Sequence, residues 1–321
     1  LEKVLRHQFG SPKEILSEIA EELGIKIAFP EETNEERHLI VVTGHLGYIG
    51  SYLAKELASA HPNSMFVLYD AAAGNYRTFS EQIQEAKRIT GKDGVDILYL
   101  VGAKASVLEC AKSKGAAVDL NVNSIFYTLG ATMPKRVVYI STSSIPKESQ
   151  VFTIPPPTFY ASTKLAGENV VIDQADIFGY EYKIIRLPNI VGLNDTKDYK
   201  HTTDRFIDII VDKAVNGGTL EIVPEYRVYM ELYAACRSIR LAFDIWKDHA
   251  QYKPIYIPKD MCISIHNTVF EAIVLFCIEL LSGLDSISDN FDSTIIKQRL
   301  WDAPFDYYYP EDGGYSYTMK S

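Results

Sequence analysis

Leu39-Ile40-Val41-Val42-Thr43-Gly44-His45-Leu46-Gly47-Tyr48-Ile49-Gly50 is the stretch on which the reading of this chain turns. Its first four residues are apolar and mostly β-branched, the mark of a buried strand. Gly44, Gly47 and Gly50 follow at intervals of three, and a helical pattern then runs to about Ala60. Glycine lets a backbone turn tightly and come close to an anion. The helix that begins there offers unpaired N–H groups and partial positive charge. A glycine triplet alone is weak, but here strand and helix flank it as phosphate binding requires. The turn is expected to hold the pyrophosphate of a dinucleotide.

Met65 to Tyr69 reads as a second strand, closed by Asp70 twenty residues after Gly50. A carboxylate there accepts hydrogen bonds from ribose hydroxyls and repels a 2′-phosphate, so NAD is expected over NADP. Further along, helical and strand patterns alternate. Phe79 to Ile89 reads as helix, and Asp96 to Val101 as strand. A helical stretch runs through Asn121 and Asn123 to about Leu129. Arg136 to Ile140 is a strand ending in Ser141-Thr142-Ser143-Ser144. Ala161 to Ala175 is helical, and Tyr182 to Leu187 is a strand. Such alternation predicts an α/β fold, a Rossmann-like doubly wound parallel sheet.

Beyond residue 190 the pattern loosens into a smaller mixed α/β lobe. Strands are expected at Thr219–Val223 and Pro254–Ile257, and helices at Asp204–Val215, Leu232–Trp246 and Thr268–Leu281. Before the sheet, Ser11-Pro12-Lys13-Glu14 forms a capping box ahead of Ile15, Leu16, Ile19 and Leu23, predicting a helix that clasps the main domain or, alternatively, binds a partner or a second copy. The expected division is therefore residues 1–38 as an N-terminal helical extension, 39–188 as the dinucleotide-binding domain and 189–321 as a substrate-binding lobe.

Tyr160 and Lys164 stand one helical turn apart in Tyr160-Ala161-Ser162-Thr163-Lys164, after the strand with the hydroxyl cluster. A phenol ordinarily ionises near pH 10, and a neighbouring ammonium favours its phenolate. Acid/base catalysis by Tyr160 is expected, with Ser143 holding a substrate oxygen beside it.

Composition narrows the field. The 321 residues are 47% hydrophobic and 23% charged, enough for a sizeable core. A net charge of −10 argues against a nucleic-acid or anionic-membrane surface. The longest apolar run, Ala272 to Ile278, is far short of the ~20 residues that span a bilayer. Cys110, Cys236, Cys262 and Cys277 form neither a CxxC pair nor a metal-like cluster, and read as thiols of a cytoplasmic protein. No metal site is expected.

TGHLGYIG (43–50), Asp70, NVNS (121–124), STSS (141–144), YASTKLAGE (160–168) and RLPNIVG (186–192) occur in this order. In these pieces the chain resembles an extended short-chain dehydrogenase/reductase of the NAD-dependent sugar epimerase/dehydratase group, from residue 39 to about 260. VGAKASVLEC (101–110) is most similar to UDP-glucose 4-epimerases. The resemblance implies an NAD-dependent nucleotide-sugar epimerase with a UDP-linked substrate. It implies cofactor contacts from Leu46, Tyr48, Ile49, Val101, Gly102, Lys104, Asn121, Ser141, Tyr160, Lys164 and Leu187, beside the three glycines and Asp70. Substrate contacts fall to Lys104, Ser143, Ser144, Asn189 and Arg227. A homodimer through a four-helix contact that includes the Tyr160 helix is implied as well.

The chain departs from the group in three places. Only one helix, and no strand, is legible between Asp70 and Asp96. Ile145-Pro146 replaces the usual aromatic-glycine pair after the hydroxyl cluster, and the acidic residues usual after Arg227 are absent. No acidic residue neighbours Ser143, so elimination of water is not expected. The alternatives are a reductase or dehydrogenase of a sugar or natural-product ketone, and a non-catalytic nucleotide-binding protein.

Overall fold

The computed structural model describes residues 37–71, 74–146, 156–192, 226–250, 252–258 and 261–266. The N-terminal helix, the elements expected at 204–215, 219–223 and 268–281, and the Tyr-rich tail lie outside these residues. In chain order the elements are β1 (Leu39–Thr43), α1 (Tyr48–Ala60), β2 (Met65–Tyr69), α2 (Tyr76–Thr90), β3 (Ile97–Leu100), α3 (Val107–Lys112) and α4 (Lys114–Val118). A single π-helical turn (Asp119–Asn123) leads into α5 (Ser124–Thr132). Then come β4 (Arg136–Thr142), α6 (Phe159–Phe178), β5 (Glu181–Leu187), β6 (Asn189–Val191), β7 (Tyr226–Glu231), α7 (Leu232–Arg240), α8 (Ala242–Ile245), β8 (Ile255–Tyr256) and β9 (Ile263–His266).

One unit holds the described residues up to Leu187, together with Gly192 and those between Leu232 and Ile257. Its six strands lie in the order β2-β1-β3-β4-β5-β8, and every pairing is parallel. Helices on both faces bury such a sheet from each side, so its strands read as continuous apolar runs. All five residues of β1 are buried, as the apolar run predicts. The chain leaves this unit after β5 and re-enters it through α7 and α8 to add β8.

The structure carries one helix between β2 and β3, and β2 is the edge strand of the sheet. Among the described residues no strand lies beyond β2, as the single helix legible between Asp70 and Asp96 predicts. The helical stretch expected through Asn121 and Asn123 to about Leu129 is broken into three helices and the π turn. Ser106 caps α3 by accepting from Glu109 N at 3.2 Å, and the wider turn at Asp119–Asn123 carries Asn121 into the interior. α6 is one uninterrupted helix of 20 residues, started by Thr158, whose hydroxyl accepts from Ala161 N.

The second unit holds β6, β7 and β9. β6 pairs parallel and β9 antiparallel to β7, so this small sheet is mixed.

Candidate active site

The glycine turn between β1 and α1 is shaped by crowding of backbone on backbone. Gly44 has φ 70°, and a Cβ on it would overlap the Cα of Gly102. A Cβ on Gly50 would overlap the Gly44 carbonyl. α1 starts at Gly47 with no side chain capping it and no acidic residue in its first turn. An uncapped helix start of this kind suits an anion. Asp70 stands at the end of β2, and its Oδ2 accepts a hydrogen bond from Leu46 N at 3.2 Å, which fixes the carboxylate over the turn. His45 is buried beneath it. Its Nδ1 meets no hydrogen-bond partner, and burial holds the imidazole below its usual pKa. Tyr48 closes the other side, its phenol donating to the Gly192 carbonyl at 2.7 Å.

Asn121 ties the loop after β3 to the Tyr160 helix. Its Oδ1 accepts from Lys104 N at 2.7 Å, and its Nδ2 donates to Lys104 O at 3.1 Å and to Thr163 Oγ1 at 2.9 Å. Thr163 in turn donates to the Tyr160 carbonyl at 2.8 Å. Lys104 is thus held mainly through its backbone, with its ammonium 3.8 Å from Glu109. Val101 and Gly102 sit where the Thr43 hydroxyl accepts both their N–H groups.

Tyr160 and Lys164 lie on the same side of α6. Of the four hydroxyls at the end of β4, Thr142 is the one that favours the Tyr160 phenolate, while its own Oγ1 donates to Ser144 Oγ at 3.2 Å. Ser143, expected to hold a substrate oxygen, is the next residue. β4 ends at Thr142, however, and the turn closed by Ile145 N on the Thr142 carbonyl carries Ser143 off the strand, its amide donating to Leu187 O. The Ser144 amide also donates to Thr142 Oγ1, at 3.1 Å.

Burial dominates the ionisation of the pair. The phenol is pushed up to about 12, with the Thr142 hydrogen bond pulling the other way. The Lys164 ammonium is pushed down to about 7. The lowered phenol expected from the Tyr–Lys spacing is therefore not produced by these residues alone, because desolvation outweighs the pairing. Lys164 is 3% exposed, and its Nζ lies 4.2 Å over the centroid of the Tyr139 ring with no hydrogen-bond acceptor among the described residues.

Below this pair lies a buried charge cluster that sequence reasoning missed. Glu168 and Arg186, 2% and 4% exposed, form a two-pronged ion pair at 2.8 and 2.7 Å. Ser141 donates to the same carboxylate at 2.5 Å. Arg186 also reaches the Ile145 carbonyl and the Tyr256 hydroxyl. The available signal was the position of Glu168, four residues after Lys164, and of Arg186 inside an otherwise apolar strand. Ser141, expected at the cofactor, spends its hydroxyl on Glu168. Leu187 is buried at the end of β5. Asn189 and Arg227 lie in the second unit, on β6 and β7, where the Asn189 amide donates to the Val228 carbonyl at 3.0 Å.

The residues fit a nicotinamide dinucleotide. The glycine cradle leaves no room for side chains, the start of α1 is uncapped, and buried Lys164 has N–H donors to spare. Among the described residues no group of three His, Cys, Asp or Glu could hold a metal, and no helix is long and apolar enough to cross a membrane.

A model of the NAD-dependent epimerase/dehydratase family matches residues 40–232, more than half of the chain, and the chain belongs to that family. It is accordingly an enzyme of the extended short-chain dehydrogenase/reductase type, and NAD is its cofactor. No curated protein matches it by sequence. Its fold is similar to that of UDP-glucose 4-epimerase from Thermotoga maritima with UDP-glucose (TM-score 0.59, 16% identity, 77% of this chain and 83% of that one). It is also similar to a double mutant of dTDP-glucose 4,6-dehydratase from Streptomyces venezuelae with NAD bound (TM-score 0.57, 20% identity, 75% and 80%). A third likeness is UDP-glucose 4-epimerase from Thermus thermophilus in complex with NAD (TM-score 0.55, 17% identity, 76% and 83%).

Proposed function

We propose that this chain interconverts the epimers of a nucleotide-linked sugar, with UDP as the nucleotide, in a closed cycle of oxidation and reduction. Bound NAD supplies a hydride acceptor that returns the same hydride to the sugar. Gly44, Leu46, Gly47, Tyr48, Ile49 and Gly50 would hold its pyrophosphate, Asp70 its adenosine ribose and Lys164 its nicotinamide ribose. Tyr160 takes the proton from the sugar hydroxyl as that carbon becomes a ketone, and gives it back in the reverse step. Thr142 holds the reacting oxygen beside Tyr160, the role that Ser143 was expected to fill. Asn121 fixes the register of α6 against the loop after β3. Lys104, Ser144, Asn189 and Arg227 are assigned to the nucleotide sugar, residues 39–188 to cofactor binding, and residues 189–321 to the substrate. The reading includes a homodimer through the Tyr160 helix.

The observation that carries this reading is the acid-free end of β4. β4 ends at Thr142, and the residues that follow are Ser143, Ser144 and Ile145. Removing water from the sugar needs a second acid to protonate the departing hydroxyl. The nearby buried carboxylate, Glu168, is engaged on both oxygens by Arg186. With no such acid among the described residues here, the ketone takes its hydride back, on one face or the other.

NMR of products from UDP-, dTDP- and GDP-hexoses tests this. An equilibrium mixture of two epimers is expected. Accumulation of a 4-keto-6-deoxy sugar from any of them would overturn it.

A further inference from the structure

We infer that His45 is a cofactor contact, its Nδ1 forming a hydrogen bond with a hydroxyl of the adenosine ribose beside Asp70. The inference rests on the placement of that ribose at Asp70 proposed above.

His45 stands inside the glycine turn, between Gly44 and Leu46, and is 9% exposed. A Cβ on Gly50 would come within 3.1 Å of the His45 Cα, so the residue is pressed against the first turn of α1. The end of β2 is equally close. The amide of the next residue, Leu46, donates to Asp70 Oδ2 at 3.2 Å. His45 therefore lies between the helix start that suits the pyrophosphate and the carboxylate that suits the ribose. Its Nδ1 is buried and has no hydrogen-bond partner. The Tyr69 carbonyl lies near the ring, but it receives the Gly44 amide at 2.7 Å. A buried polar atom left unpaired is costly, and native structures carry few of them. A leucine would fill the same space without that cost, so packing alone gives no reason for the nitrogen.

The chemistry of the neighbours selects its partner. Phosphate oxygens only accept hydrogen bonds, and the uncapped N–H groups of α1 already serve that need. The imidazole is neutral, because burial lowers its pKa against the pull of the Tyr69 carbonyl and Asp70. An uncharged ring adds little to a pyrophosphate site. One nitrogen of a neutral imidazole donates and the other accepts. A ribose hydroxyl does both, so it pairs with Nδ1 in either tautomer. Asp70, a carboxylate, can only accept, and a hydroxyl that gives it a proton still has lone pairs for an N–H donor.

The experiment titrates the full-length chain, freed of nucleotide, by calorimetry with NAD, ADP-ribose and nicotinamide mononucleotide. His45→Leu should weaken NAD and ADP-ribose by the same factor, about tenfold, and leave the mononucleotide, which lacks the adenosine, unchanged. The nucleotide-free variant should melt about 2 °C higher than the unmodified chain, because an unpaired buried atom is gone. Affinity and stability thus move in opposite directions, which a packing role would not produce. His45→Asn keeps a polar atom at the Nδ1 position and should restore most of the affinity. His45→Gln carries it one bond further out and should not. With either 2′-deoxy-NAD or 3′-deoxy-NAD the loss caused by His45→Leu should vanish. Equal NAD affinity in His45→Leu and the unmodified chain overturns the contact. A loss undiminished with both deoxy cofactors overturns the hydroxyl as its partner. Should His45→Leu fail to fold, undiminished NAD affinity in His45→Gln overturns the contact equally. If Asp70→Ala binds ADP-ribose as tightly as the unmodified chain, it is the underlying placement of the ribose that fails.

Discussion

The glycine turn after β1 and the charged column on α6 handle polar groups in opposite ways. The turn leaves helix N–H groups uncapped and fits itself with backbone, Gly50 against the Gly44 carbonyl and Gly44 against Gly102. The column buries two cations and an anion: side chains from β4, α6, β5 and β8 satisfy Glu168 and Arg186, and Lys164 lies over the Tyr139 ring. A backbone site needs only the right glycines and tolerates change around it. A side-chain site depends on every partner, and its ionisation is set by what surrounds it.

If that contrast holds, the column should fail most sharply when a single charge is removed. Arg186→Met leaves Glu168 buried without its partner. Breaking a buried pair in this way costs about 3–5 kcal/mol, so chemical denaturation should show most of the stability gone. Next in size is Tyr160→Phe. It should lower kcat about 10²-fold or more by removing the acid/base, while native mass spectrometry still finds NAD bound.

At the turn, Gly50→Ala should weaken NAD binding about tenfold or more, measured by calorimetry, because the new methyl displaces the Gly44 carbonyl. It should leave the Tyr160 titration unchanged, which separates the two regions.

The smallest effect has an unusual sign. Lys164 ionises at about 7 in the folded chain against a reference near 10.4 unfolded. Its burial penalty is full below pH 7 and fades as pH rises towards 10. Lys164→Met should therefore raise Tm, by about 3 °C at pH 6 and by less at pH 9, while abolishing activity. A Tm that falls at pH 6 would show that the ammonium is better compensated than the Tyr139 ring and Glu168 allow.

The same contrast explains what could be read from the residues. β1, the turn, Asp70 and the Tyr160 helix were legible because each is specified by a local pattern, an apolar run, a glycine spacing or a helical period. The π turn at Asp119–Asn123 was not, since an extra residue in a helix leaves no trace in a 3.6-residue period. Glu168 and Arg186 lie 18 residues apart in sequence and meet only because β5 follows α6 back along the sheet. The break at Leu241, where one helix was expected from 232 to 246, is marked by no Gly or Pro in that stretch.

The central claim is that hydride leaves a sugar carbon and returns to that same carbon while Tyr160 moves the proton. It is tested most directly with a UDP-hexose deuterated at C4 and product analysis by NMR and mass spectrometry. The account predicts a C4 epimer that retains its deuterium at C4, with no exchange into water and no free NADH. Deuterium found at C6 of a deoxy sugar, or carried off in released cofactor, would contradict it.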